Sequence, residues 1–353
     1  MSVKIDCSWE KVAFQEKESP IDRSSHAISI IGDVLYVMGG ENMARVPIDS
    51  SVYALNISKQ NLKDGLTTWR KIDAQGNSPV PRIAHSQAVI GNRIYIFGGR
   101  QGITMDESPL NDLHCFDTVT ETWTEVAVKG GVAPSARSFH QMVSVGTSLF
   151  IFGGCGAAGR MSDLNEFDTK TSVWTEHNNE FIAENGNVEQ IKGRGGASLV
   201  ASNCGTKIFL LGGFSGKEMD DIYIYDLKSK VWKYTKELKL PDPRSVCISA
   251  GMQIPGKGRY IAIFGGEISE SSKGHEGAGG FSNQLILLNE DTLEVTIVNP
   301  TNDENGMPLQ RGWSSGCSLP SNKSQLAIFG GLSGNDENPT RLGDLWICTI
   351  ASL

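Results

Sequence analysis

The sequence predicts an all-β fold: a six-bladed β-propeller with four antiparallel strands per blade. Three observations carry this expectation. Four β-favouring apolar residues followed by two glycines occur six times: LYVMGG ending at Gly40, IYIFGG at Gly99, LFIFGG at Gly154, IFLLGG at Gly213, IAIFGG at Gly266 and LAIFGG at Gly331. The second glycines lie 59, 55, 59, 53 and 65 residues apart, a loose period near the length of one four-stranded blade. The last repeat lacks a fourth strand, and a strand of the missing kind stands near the N-terminus with nothing before it.

Each repeat divides into strands a to d. In the first, Arg23-Ser-Ser-His26 opens strand a, Gly32-Asp33 makes the hairpin, LYVMGG is strand b, SVYALNI strand c and TTWRKI with Trp69 strand d. The second runs from Arg82 and His85 through RIYIFGG and NDLHCFD to Trp123. The third runs from Arg137 and His140 through SDLNEFD to Trp174, and the fourth from Arg194-Gly-Gly through DDIYIYD to Trp232. The fifth, from Arg244, has Val295 where the tryptophan is expected. The sixth opens at Arg311-Gly-Trp313 and stops after strand c, GDLWICT. Cys7-Ser-Trp9-Glu-Lys-Val then serves as its strand d, closing the ring and covering a sheet edge. The expected blades are approximately 21–73, 80–127, 135–178, 192–236, 242–298 and 309–353 plus residues 7–13, one body over 1–353.

The double glycines, the Tyr/Phe-Asp of strand c and the spaced tryptophans resemble the Kelch repeat over essentially the whole chain. More narrowly, RSSHAI at 23–28, RVPIDSSVYAL at 45–55, RGG at 194–196, PRSV at 243–246, GGE…GHEGAG at 265–279 and RGW at 311–313 are similar to the plant specifier-protein group and its unspecialised relatives.

Bulk composition excludes several function classes. Forty acidic against 32 basic residues give a net charge of −8, which argues against nucleic acid or an anionic membrane as partner. No apolar run reaches the length of a membrane helix, and MSVKIDCSWEKV lacks a secretory core, so a cytoplasmic location is expected. Seven scattered cysteines without CxxC spacing read as reduced thiols.

Antiparallel order places the start of strand a, the end of strand b and the long b–c loops (41–50, 100–109 and 267–282) on one face. Arg23, Arg82, Arg137, Arg194, Arg244 and Arg311 recur there, joined by the residue after each GG: Glu41, Arg100, Cys155, Phe214, Glu267 and Leu332. Two roles are open to the arginines. Each guanidinium, with five donors, can bond loop carbonyls and carboxylates. Alternatively two or three stay free, with Arg100, as an anion pocket. His26, His85 and His140 repeat too regularly for a single site and are expected to be structural.

The loop Glu267-Ile-Ser-Glu270-Ser271-Ser272-Lys273-Gly274-His275-Glu276 is Gly-rich and unrepeated. The specifier-protein resemblance implies an Fe(II) site of pattern Glu-x3-Asp-x3-His, placing Glu267 and His275 on the outer positions and Ser271 where the pattern has Asp. Glu270 is the nearby substitute carboxylate. Two functions follow as expectations. One is a binding module whose Arg-lined mouth holds an acidic protein or peptide, or a small anionic molecule. The other, implied by the resemblance, is Fe(II)-dependent conversion of a glucosinolate-derived thiohydroximate-O-sulfate to a nitrile.

Overall fold

The computed structural model describes residues 5–352 apart from 16, 66, 103–108 and 300–305. Six four-stranded antiparallel blades form a ring, as expected. In blade one the strands are Ala27–Ile31, Val34–Met38, Val52–Asn56 and Trp69–Ile72, with strand b of every blade paired to its own a and c. Blades two and four carry extra outer strands: Gln75–Gly76 and Glu180–Ile182 run parallel to strands d. A six-residue helix, Lys59–Asp64, capped by the Ser58 hydroxyl, fills the c–d connection of blade one.

Ring closure is a strand exchange between the two ends of the chain. Ile5–Lys11 pairs antiparallel with Pro339–Ser352, from Ile5 opposite Ser352 to Lys11 opposite Trp346. The closing strand therefore starts and ends two residues earlier than the expected 7–13. Trp9 is buried and packs on Phe264 of blade five with ring centroids 4.8 Å apart. The same contact recurs round the ring: Trp69 on Phe329, Trp174 on Phe97 and Trp232 on Phe152. In each pair, a strand-d tryptophan meets the Phe before the previous blade's GG.

The core is accordingly a circle of six interfaces, each an apolar cluster drawn from two neighbouring blades. Val295 faces the blade-four interface, which holds no tryptophan; there Leu238, near the end of strand d in blade four, and Leu240, just after it, supply the apolar volume.

The glycines and arginines lock blade to blade. The first glycine of each pair has φ between 55° and 70°, and a Cβ there would stand 2.5–2.9 Å from the next blade's Arg carbonyl oxygen. That same carbonyl accepts a hydrogen bond from the second glycine, as in Gly40 N to Arg82 O at 3.0 Å. No residue with a side chain fits this crossing.

A second circle lies at the channel axis. Ser25, Ala84, Phe139, Gly196, Val246 and Trp313, each two residues after its arginine, all have φ between 46° and 60°. Each N–H donates to the carbonyl of the preceding member, Ser25 to Trp313 at 2.8 Å completing the round. Left-handed backbone at Val246 and Trp313 is costly for such side chains and persists here because every neighbour enforces it.

Candidate functional site

The six repeated arginines are fasteners. All are 0–2% exposed. Each donates Nε to the carbonyl two residues earlier and Nη1 to the first glycine carbonyl of its own blade, as in Arg137 to Gly153 at 2.9 Å. Arg82, Arg137, Arg194 and Arg311 also fork onto Asp112, Asp163, Asp221 and Asp344 at the start of strand c. Burial opposes ionisation of Asp112, but hydrogen bonds from Arg82 and His114 outweigh it and hold the carboxyl below its usual range.

Arg244 meets the neutral Gln284 instead at 3.1 Å, and Arg23 lies 5.1 Å over the Tyr53 ring. These are the two whose guanidinium pKa burial lowers. The expectation that two or three of Arg23, Arg82, Arg137, Arg194, Arg244 and Arg311 stay free for an anion is thus corrected. Their donors are spent on holding strands b and c together, except Arg23 Nη2, which is buried without a hydrogen-bond partner. His26 and His140 are likewise structural, each ring Nε2 lying 3.1 Å from the carbonyl of Phe329 or Phe97 in the preceding blade.

What opens at the mouth is a cavity of about 360 Å³ built from the neighbours of those arginines. In every blade the residue after the arginine bridges to the residue after GG: Ser24 to Glu41, Ile83 to Arg100, Ser138 to Cys155, Gly195 to Phe214, Ser245 to Glu267 and Gly312 to Leu332. Of the post-GG residues, Arg100, Cys155, Phe214 and Glu267 line the cavity. The axial circle forms its floor. Phe139 and Trp313, from opposite blades, meet edge to face across the channel at 5.3 Å, with Val246 and Gly196 beside them. Below this aromatic bar runs a second, more polar space lined by strands a, with Ser29, Ser86 and Gln87 among its walls.

The cavity carries side chains of both signs. Arg160, in the b–c turn of blade three, stacks over the Phe214 ring at 4.6 Å. Arg160 and Arg100 both act on the Cys155 thiol, whose pKa burial nevertheless raises. Arg45 reaches in from blade one, 4.0 Å from Glu276. Glu267, Glu270 and Ser271 of blade five line the other side. Next to them Glu218 of blade four is 9% exposed, and neither carboxyl oxygen has a hydrogen-bond partner of good geometry. Burial, and the charges of Glu267 and Glu270, push this carboxyl up to about 8, opposed by the adjacent Ser245 hydroxyl.

The loop that suggested iron is tied elsewhere. The Ser271 hydroxyl donates to Asp336 of blade six at 2.5 Å, and the Ser272 amide and hydroxyl donate to the other oxygen of the same carboxylate. These bonds, with burial opposing, hold Asp336 down at about 2. His275 lies in the short helix Gly274–Glu276, its side chain outside the described residues. Among the described residues no group of three His, Cys, Asp or Glu side chains is placed to hold a metal ion. Glu267, Glu270 and Ser271 do not by themselves form such a group, and no chemistry is routed through a metal. Of the expected 100–109 loop, residues 103–108 lie outside the described residues. No helix among the described residues is long and apolar enough to cross a membrane.

Arg45, Arg160 and Glu218 were not singled out in the sequence, because each sits in a loop with no counterpart in the other blades. The strand-c aspartates had a signal: they follow their arginines by 30, 26, 27 and 33 residues, always at the head of strand c.

Comparisons with known proteins agree with this architecture. Residues 25–266 match the KLHDC2/KLHL20/DRC7 Kelch-repeats domain. The chain is 28% identical to N-(sulfonatooxy)prop-2-enimidothioate sulfolyase of Thlaspi arvense, over 94% of both chains. It is 31% identical to Kelch domain-containing protein 1 of Mus musculus over 74% of this chain and 66% of that protein. The solved structure of YjhT superposes with a TM-score of 0.67 at 18% identity, covering 93% of this chain and 95% of that one, a likeness of fold.

Proposed function

Because the chain belongs to the Kelch-repeat family, we propose that it is a binding propeller whose mouth pocket holds an anionic group, presented by a protein or peptide partner or by a small molecule. One observation carries the reading. Three guanidinium groups, Arg45, Arg100 and Arg160, stand round an aromatic floor in a cavity sized for a side chain or small ligand. Guanidinium is weakly hydrated and matches carboxylate and sulfate geometry, so it binds such groups at modest desolvation cost. Backbone bridges hold the mouth residues in every blade, so less ordering opposes association. The net charge of −8 does not oppose this, because low-dielectric walls focus the local field of the arginines. A phosphate-free buffer, phenyl sulfate and a pool of Asp/Glu-rich hexapeptides provide the test, with binding followed by ligand-observed NMR. Arg100→Gln together with Arg160→Gln is expected to weaken binding at least about tenfold, the loss of one charge-assisted contact of roughly 1.4 kcal/mol. Unchanged binding in that double variant would refute the anion reading.

A further inference from the structure

The seam between blades three and four departs from a pattern that the rest of the ring keeps. The strand-c residue paired with the third position before each GG is Ala54, Cys115, Ile224, Leu287 or Ile347 in five blades, always buried and uncharged. In blade three it is Glu166, paired with Phe150. On strand d of the same blade His177 stands opposite Leu164, where blades one and five have Ile72 and Val298. Blade four brings Tyr225 against this pair, at a position that Leu55, Phe116, Phe167 and Leu288 hold elsewhere.

The three exceptions meet in one place. His177 Nε2 lies 2.9 Å from Glu166 Oε2, and the His177 ring stacks on Phe150 at 5.9 Å and tilts against Tyr225 at 5.7 Å. All four residues line a cavity of about 320 Å³ that shares no lining residue with the mouth. Ser148, after the a–b hairpin of blade three, and Lys230, in the c–d turn of blade four, complete it, so it lies toward the face opposite the mouth. The His177 hydrogen bond holds the Glu166 carboxyl below its usual range against burial, and its side chain is 26% exposed. The Tyr225 hydroxyl is buried without a hydrogen-bond partner. A charged and hydrogen-bonded pair in a seam that is elsewhere apolar costs stability relative to well-packed aliphatic residues. Such a local break with a repeat is expected where a site requires it.

We propose that this cavity is a second ligand site, for a planar cation of the amidine or guanidine class, with Glu166 as its counter-charge and Phe150 and Tyr225 as its aromatic walls. It stands independently of the anion reading of the mouth. His177 and Ser148 are the side-chain donors to the carboxylate, which has about four acceptor positions, so two remain for a ligand. An amidinium or guanidinium presents two parallel N–H groups that match a carboxylate, and the aromatic rings attract the same cation. The exposed Lys230 also lines the cavity, and its charge reaches Glu166 more weakly than the His177 bond does. It therefore disfavours ligands with more than one positive charge.

Benzamidine and benzamide have the same shape and differ in charge at pH 7, so they isolate the contribution of Glu166. Titration of the full chain, followed by ligand-observed NMR, is expected to show benzamidine binding at least about tenfold more tightly than benzamide. Glu166→Gln is expected to remove that preference. The second variant, Glu166→Ile with His177→Val, gives this seam residue types that other blades carry at Ile224 and Val298. It is expected to abolish benzamidine binding while raising the melting temperature, the mark of a polar pair kept for a ligand rather than for the seam. A Gly-Arg-Gly tripeptide distinguishes the source of the cation: tighter binding than benzamidine would assign the occupant to a partner's arginine side chain, weaker binding to a free small molecule. Equal affinity for benzamidine and benzamide, or a preference that survives Glu166→Gln, would overturn the proposal. So would benzamidine binding that persists in the double variant.

Discussion

Replacing Glu218 by Gln is expected to stabilise the protein, and to do so more at pH 8 than at pH 5. The folded state holds this carboxyl at about 8 against an ordinary 4.5, for the reasons of burial and neighbouring Glu267 and Glu270. The Cys247 thiol, which is also buried nearby, stays protonated across this range because burial raises it too. Because the folded-state value is raised, the folded protein binds more protons than the unfolded chain between pH 4.5 and 8. Stability contributed by the neutral form is complete below the unfolded value and is lost as pH rises through the window. At 1.36 kcal/mol per decade, the ionisation penalty is about 0.8 kcal/mol at pH 5 and about 4 kcal/mol at pH 8, an upper bound because the wall can relax. Glutamine keeps the shape without the charge. With an unfolding entropy of about 2.1 cal/mol/K per residue, a difference of about 3.5 kcal/mol corresponds to a melting temperature gain roughly 4–5 °C larger at pH 8 than at pH 5. Differential scanning calorimetry of both proteins at the two pH values measures it. A gain equal at both, or a loss at pH 8, would show that the carboxyl is not held neutral by its surroundings.

The arginine fasteners and the iron loop give two further tests. Asp112→Ala leaves the Arg82 guanidinium buried without its fork, and urea unfolding is expected to show a loss of about 3–5 kcal/mol. Gln284→Asp gives Arg244 the partner that four other blades have, with an expected gain of about 1 kcal/mol; destabilisation would mean that blade five has adapted to the neutral amide. Incubation with Fe(II), desalting and metal analysis are expected to leave no stoichiometric iron, since Ser271 is bonded to Asp336. Iron retained by the native chain and lost on Glu267→Ala or His275→Ala would restore the metal reading.

The fold was legible because its signals repeat. Each GG pair marks a crossing that excludes a Cβ, so the sequence has no freedom there, and the missing strand d of the sixth repeat pointed to Trp9. The site was half legible for the same reason. Arg100, Cys155, Phe214 and Glu267 occupy a topologically fixed place after GG, and topology alone put them at the mouth. That all six repeated arginines are fasteners was not legible, since that depends on groups such as the aspartate at the head of strand c reaching across the blade. Arg160 and Glu218 depend on groups distant in the chain, Arg160 stacking on Phe214 and Glu218 feeling the charge of Glu267, and no local pattern encodes those.

The axial circle of hydrogen bonds has a consequence for chain connectivity. Six amides joined head to tail, each polarising the next, make a loop of dipoles with no first or last member, so no donor or acceptor is orphaned at an end. The covalent chain, by contrast, must begin and stop somewhere, and Ile5 lies directly opposite Ser352. A short linker between those neighbours, with new termini cut between blades three and four, would leave all six bonds in place. The order in which the blades are strung is thus separable from the ring they form, and a circular permutant should inherit the same mouth.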